Sequence, residues 1–91
     1  MADQQRIVIF RGNVQGVGFR YTACRIAENY AIAGHVRNLP DGTVEVLAEG
    51  PPLEIDRFLA ELTEQFGGYI KSQTRQTAPP SGQYHSFGVR R

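Results

Sequence analysis

The chain has 91 residues, 41% hydrophobic and 21% charged, which suits one soluble domain near the lower size at which a single core is self-sufficient. Ten Lys and Arg against nine Asp and Glu leave a net charge of +1, which indicates neither nucleic acid nor an anionic membrane surface as a partner. A single cysteine, Cys24, excludes an intrachain disulfide and fits a reducing compartment; with no secretory h-region in MADQQR and no apolar run near the roughly 18 residues of a span, a cytoplasmic protein is expected.

Residues 1–91 read as one domain, with 1–5 a flexible lead. RIVIFRGN, Arg6 to Asn13, is a β-branched run closed by glycine and predicts a buried central strand. A glycine loop follows, Val14 to Phe19. RYTACRIAENYAIA then predicts a helix from Arg20 to Ala33 with Ala23, Ile26, Ala27, Tyr30 and Ala31 on its apolar face, stopped by Gly34. HVRNL and TVEVLAEG flank the turn residues PDG and predict a hairpin, with Val44, Val46 and Ala48 on one face. PPLEIDRFLAELTEQF carries the clearest helical stripe: Ile55, Phe58, Leu59, Leu62 and Phe66, behind two prolines placed where a helix start tolerates them. YIKSQTRQT is polar enough for an edge strand, APPSGQ is a loop, and YHSFGVRR ends in a short strand. The order β-α-β-β-α-β plus a terminal strand predicts an α+β, two-layer α/β sandwich with an antiparallel sheet and both helices on one face. In that interleaved arrangement the first two strands run parallel and end at the same edge.

The loop GNVQGVGFR matches neither nucleotide fingerprint. No Lys-Ser or Lys-Thr follows its glycines, and Tyr21 stands where G-x-G-x-x-G needs the third glycine. A tight turn is the plain reading of such a loop. Its position adds another: Gln15, Gly16, Val17, Gly18 and Phe19 lie between a central strand and a helix N-terminus, where free N–H groups and the helix dipole favour an anion. Arg20 follows with a permanent, forked charge suited to phosphate oxygens. Asn38 ends the second strand on the same face as Val36. It is also an ordinary residue before a turn, but the shared strand edge should bring it to the loop.

GNVQGVGFR at Gly12–Arg20, GHVRNLPDGTVEV at Gly34–Val46 and the order of elements resemble the acylphosphatase family over almost the whole chain, from about Arg6 to Val89. The resemblance implies a ferredoxin-like fold and hydrolysis of acyl phosphates to a carboxylate and inorganic phosphate, with no metal and no organic cofactor. It makes Arg20 the phosphate-binding arginine, the backbone of Gln15 to Phe19 the cradle, and Asn38 the residue that orients the attacking water. One departure is His35, where the family often has tryptophan.

Several residues are set aside. His35 and His85 read as packing or surface groups, Cys24 as a small buried hydrophobe, and Tyr30 and Phe66 as core. Glu45 and Glu49 read as a solvated strand face, and Arg37 as facing away from Asn38. Two rivals are weaker. A non-catalytic module binding phosphate or carbamoyl phosphate, as found inside larger proteins of the hydrogenase-maturation family, would need no turnover; but no attached zinc-finger or transferase segment is seen, and both Arg20 and Asn38 are kept. An RNA-binding domain of the same element order would display aromatics on its third strand, where TVEVLAEG has none. The expectation is a stand-alone, monomeric acylphosphatase with a small-molecule substrate and no nucleic-acid or membrane partner.

Overall fold

The structure, a computed structural model, describes residues 2–91. Its elements are β1 (Gln4–Gly12), α1 (Phe19–Ala27), β2 (Ala33–Asn38), β3 (Val44–Gly50), α2 (Pro52–Gln65), β4 (Ile70–Ala78) and β5 (Phe87–Val89). The strands form one sheet in the order β4-β1-β3-β2-β5. β3 is antiparallel to both β1 and β2, so those two run parallel and deliver their C-terminal ends to one edge, as the interleaved order requires.

Strand alternation decides which side is covered. Val8 and Phe10 of β1, Val36 of β2, and Val44, Val46 and Ala48 of β3 point to one face and are at most 1% exposed. Against them pack Phe19, Ala23, Ile26 and Ala27 of α1 and the full expected stripe of α2, Ile55, Phe58, Leu59 and Leu62, with Phe66 just beyond it. The result is the expected α+β sandwich, two helices on one face of the sheet.

Three expectations change. β1 begins at Gln4, paired with Gly50, so only Ala2 and Asp3 of the described lead remain outside it; Met1 lies outside the described residues. α1 ends at Ala27, short of the expected Ala33: Asn29 N–H donates to Ile26 C=O and Tyr30 N–H to Ala27 C=O, i→i+3 bonds that tighten the last turn and release the chain into β2. Tyr30 therefore sits half-buried at the core margin, its hydroxyl donating to Glu61 at 2.7 Å. Gly34 is a strand residue rather than a helix stop, at φ +149°, because a Cβ there would collide with the Leu47 carbonyl oxygen of β3.

The sheet is also mixed rather than antiparallel, because β5 pairs with β2 in parallel. β4 holds the far edge beside β1, so the chain must cross the sheet and reverse direction to reach β2. Residues 79–86 make that crossing over the face that the helices leave open. Two carboxylates of β3 are engaged on that face, Glu49 with the crossing segment directly and Glu45 through His35, which corrects the expectation of a solvated strand face. Glu49, 7% exposed, accepts from Ser81 N–H at 2.7 Å, Gly82 N–H at 3.2 Å and the Gln5 amide at 2.7 Å. Burial opposes its ionisation, but these donors outweigh burial and hold its carboxyl below the ordinary range. Glu45 accepts from His35 Nε2–H and Arg37 Nε–H, each at 2.8 Å, and His35 Nδ1 meets the Tyr84 hydroxyl at 3.1 Å. His35 is thus a buried packing residue that ties the crossing segment to the sheet, and Arg37 faces away from Asn38 as expected. Burial likewise opposes the charge on Glu45, and its His35 and Arg37 hydrogen bonds prevail, keeping that carboxyl low as well.

Two outcomes follow from this packing. Gly34→Ala should lower unfolding free energy by about 2–4 kcal/mol, read from urea midpoints, since the clash is with backbone rather than a yielding side chain; a midpoint within error of wild type would mean the strands part freely. For Glu49, a lowered carboxyl stabilises the fold at pH above the unfolded value of about 4.3, and that contribution disappears as pH falls through the folded-state value. Glu49→Gln should therefore be less stable than wild type at pH 7, and the difference should shrink below about pH 4. A gap that stays constant from pH 7 to pH 3 would deny the carboxylate this role.

Candidate active site

The strand-to-helix loop obeys a simple division. Val14 is fully buried, Val17 packs against the core, and Phe19 is 2% exposed, with ring centroids 5.2 Å from Phe10 and 4.7 Å from Phe66. Gly16 and Gly18 alternate with them at the surface and adopt φ +78° and +80°, whereas no other residue type has positive φ among the described residues. Alternating φ sign across Gly16, Val17 and Gly18 turns successive N–H groups toward one side, the geometry of an anion-binding nest. Gly18 is the N-cap of α1 and has no side chain to bond the first turn. The first helical bond runs from Thr22 N–H to Gly18 C=O at 3.0 Å, so the N–H groups of Phe19, Arg20 and Tyr21 have no intrahelical acceptor.

Gln15 does something that the sequence pattern does not disclose. Its side-chain amide donates to Leu39 C=O at 2.8 Å and Thr43 C=O at 2.9 Å, stapling the loop to the β2–β3 turn immediately after Asn38. That turn is closed without Asn38. Leu39 N–H donates to Thr43 C=O, and Asp41 Oδ1 accepts from Thr43 Oγ1 at 2.6 Å and Thr43 N–H at 3.1 Å. The hydroxyl bond, followed by the backbone bond, holds the Asp41 carboxyl below its ordinary range. With Asp41 capping the turn, the Asn38 side chain makes no hydrogen bond to the protein among the described residues.

Arg20, Asn38, Gly16 and Gly18 line one cleft of about 380 Å³. Val14 and Phe19 form its floor, and Tyr21, Val89 and Arg91 complete its walls. Arg20 is half-buried and has neither a carboxylate nor a hydrogen-bond partner among the described residues. An uncompensated guanidinium, free N–H groups and an unengaged amide therefore share one pocket. Gln15 and Val17 do not line it with their side chains: one is spent on the turn, the other on the core. Sequence reasoning missed Tyr21, which follows Arg20 in α1, and also Val89 and Arg91, whose arrival depends on the parallel docking of β5.

Groups elsewhere offer less chemistry. Burial pushes the Cys24 thiol up, and the Glu28 carboxylate adds to the shift, so a reactive thiolate is disfavoured. Among the described residues no three His, Cys, Asp or Glu side chains gather to hold a metal ion, and no helix is long and apolar enough to cross a membrane.

Comparisons with known proteins agree on one family. A family model described as Acylphosphatase matches residues 6–89. The acylphosphatase of Ligilactobacillus salivarius is 39% identical over 85 residues, 92% of this chain and 93% of that protein. The acylphosphatase of Archaeoglobus fulgidus is 55% identical over 49 residues, a match that spans 54% of this chain and only 55% of that protein. The crystal structure of acylphosphatase from Bacillus subtilis superposes with a TM-score of 0.86 at 30% identity, over 97% of this chain and 99% of that one.

The two loop glycines have open space around them: nothing lies within 4 Å of a Cβ built on Gly16 or Gly18. Backbone conformation, rather than room, is what a substitution disturbs. Gly18→Ala should lower stability by about 1–2 kcal/mol and weaken competition by inorganic phosphate. D-alanine placed at position 18 by chemical synthesis should keep both, because the left-handed region is its natural one. Equal damage from the two enantiomers would show that space is the constraint after all.

Proposed function

Because the chain belongs to the acylphosphatase family and is an enzyme of that kind, we propose that it hydrolyses acyl phosphates through Arg20, the Gly16–Phe19 backbone and Asn38. The observation that carries this assignment is the convergence of an unpartnered guanidinium, unpartnered N–H groups and an unengaged amide in one cleft.

In this reading Arg20 grips two phosphoryl oxygens with its fork while the loop N–H groups take the third, so positive potential is already aimed where charge spreads as the phosphoryl group transfers. The Asn38 amide orients a water toward phosphorus. The water oxygen forms the new P–O bond, the bond to the bridging acyl oxygen breaks, and its electron pair leaves with the carboxylate. Asparagine is too weak a base to take the proton, so it passes to a phosphoryl oxygen or to the departing carboxylate. A carboxylate is a good leaving group and needs little acid assistance, which leaves positioning and charge stabilisation as the whole task. The proposal gives the reaction no metal and no cofactor, and gives the enzyme a cytoplasmic setting and a monomeric state.

The test is hydrolysis of benzoyl phosphate with excess chelator. Turnover should survive the chelator and fall by about 10³-fold or more in Arg20→Ala, which should also lose competition by inorganic phosphate. Asn38→Ala should lose about 10²-fold or more in kcat yet retain phosphate competition, because water and not phosphate is its ligand. Full activity in Asn38→Ala would remove it from the mechanism. Turnover no higher than the Arg20→Ala background would make the cleft that of a non-catalytic phosphate-binding module.

A further inference from the structure

We propose that Tyr21 and Val89 form an acyl-binding wall that selects acyl phosphates with an aromatic acyl group, a specificity that rests on the phosphate-cradle reading above. Large apolar side chains left in water are few in this fold. Tyr21 is 66% exposed, Leu53 52%, Val89 48% and Tyr69 44%. Two of these four flank the one cleft that also holds Arg20 and Asn38. Neither contributes to the core, so their shared placement beside the polar site is not a by-product of packing.

Tyr21 follows Arg20 in α1 and lines the same cleft. Its orientation is fixed from the next turn of α1: Arg25 Nη1–H donates to the Tyr21 hydroxyl at 2.9 Å, and the guanidinium carbon lies 5.8 Å from the ring centroid. The phenol oxygen thus accepts a bond from its own helix, and Tyr21 lines the cleft. Val89, which lines the same cleft, is held by the parallel pairing of β5 with β2, where it is the partner of Val36. The flanking Arg90 N–H donates to Val36 C=O at 2.9 Å, extending the same attachment. Arg91 closes the rim of the cleft. A flat acyl group seated against Tyr21 and Val89 would have an aromatic ring, a branched aliphatic side chain and the Arg91 guanidinium, suited to an aromatic π-face, as its neighbours.

The space supports an occupant larger than phosphate. At about 380 Å³ the cleft falls in the range of small-molecule sites, about 300–1,000 Å³, which a single phosphoryl group does not fill. The energetic demand is small: a tenfold preference for benzoyl over acetyl needs only about 55 Å² more apolar surface removed from water. Part of one face of a phenyl ring suffices.

The experiment compares kcat/KM for benzoyl phosphate and acetyl phosphate in wild type, Tyr21→Ser and Val89→Ser; the ratio of ratios cancels the different intrinsic reactivities of the two anhydrides. Both positions are too exposed for the substitutions to threaten the fold. Each variant should reduce the benzoyl-to-acetyl ratio by about three- to tenfold, while the inhibition constant for inorganic phosphate moves much less than that ratio. A ratio that stays within twofold of wild type in both variants overturns the wall. If wild type hydrolyses neither compound, the catalytic reading has failed, and calorimetry with the non-hydrolysable benzoylphosphonate and acetylphosphonate decides the wall separately. Tighter aryl binding that is lost in Tyr21→Ser upholds it; equal affinities overturn it.

Discussion

The Val14–Phe19 loop has to satisfy two solvents within six residues. Its apolar side chains must enter the core, and its backbone N–H groups must stay outside, because burying them unpaired would be prohibitive. Val14, Val17 and Phe19 turn inward while Gly16 and Gly18 turn outward in the left-handed region. The rest of the site is a consequence of that alternation. Phe19, held between Phe10 and Phe66, fixes where α1 starts, and Arg20 is the next residue. The position of Arg20 in the chain is therefore set by aromatic contacts of Phe19 with β1 and with the C-cap of α2, and among the described residues no ion pair holds it.

The second half of the cleft is placed by a different device. β1 and β2 are not neighbours in the sheet; each pairs with β3, where Val44 lies opposite both Phe10 and Asn38, so the loop after β1 and the β2–β3 turn emerge at one edge. The Gln15 amide then ties the two together directly, by donating to the Leu39 and Thr43 carbonyls. Asp41, by capping the turn itself, leaves Asn38 without a structural duty. A polar residue relieved of such a duty at the mouth of a cleft is available for a ligand, and this distinguishes Asn38 from the common asparagine that merely initiates a turn.

Much of this arrangement was legible in the sequence because it depends on local signals. The stripe from Ile55 to Phe66, the PDG turn and the Val44–Val46–Ala48 alternation each specify their element within a few residues, and the interleaved order then forces Arg20 and Asn38 to a common edge. Features that depend on distant partners were not legible. Ala31 and Tyr30 continue the helical spacing, yet the chain leaves the helix at Ala27 because Gly34 must already lie against Leu47 in the sheet. Glu45 and Glu49 look like solvent residues by alternation, but Glu49 is bonded by the crossing segment and Glu45 by His35 and Arg37 of β2. The parallel pairing of β5, and with it the arrival of Val89 and Arg91 at the cleft, has no signature at all in a strand of three residues.

The crossing segment also has a temporal meaning. The two sides of the cleft, Tyr21 and Val89, come from nearly opposite ends of the sequence, and they meet only after the chain has traversed the sheet and found the edge of β2. Pairings of such large sequence separation must repay a loop-closure entropy before they stabilise anything, and sheets built on them fold more slowly than helical bundles. The loop, α1 and the first strand can approach one another early, since they are contiguous. The cleft therefore depends on the β5–β2 pairing as well as on the loop, so its integrity reports on the topology of the entire domain and not only on the few residues around it.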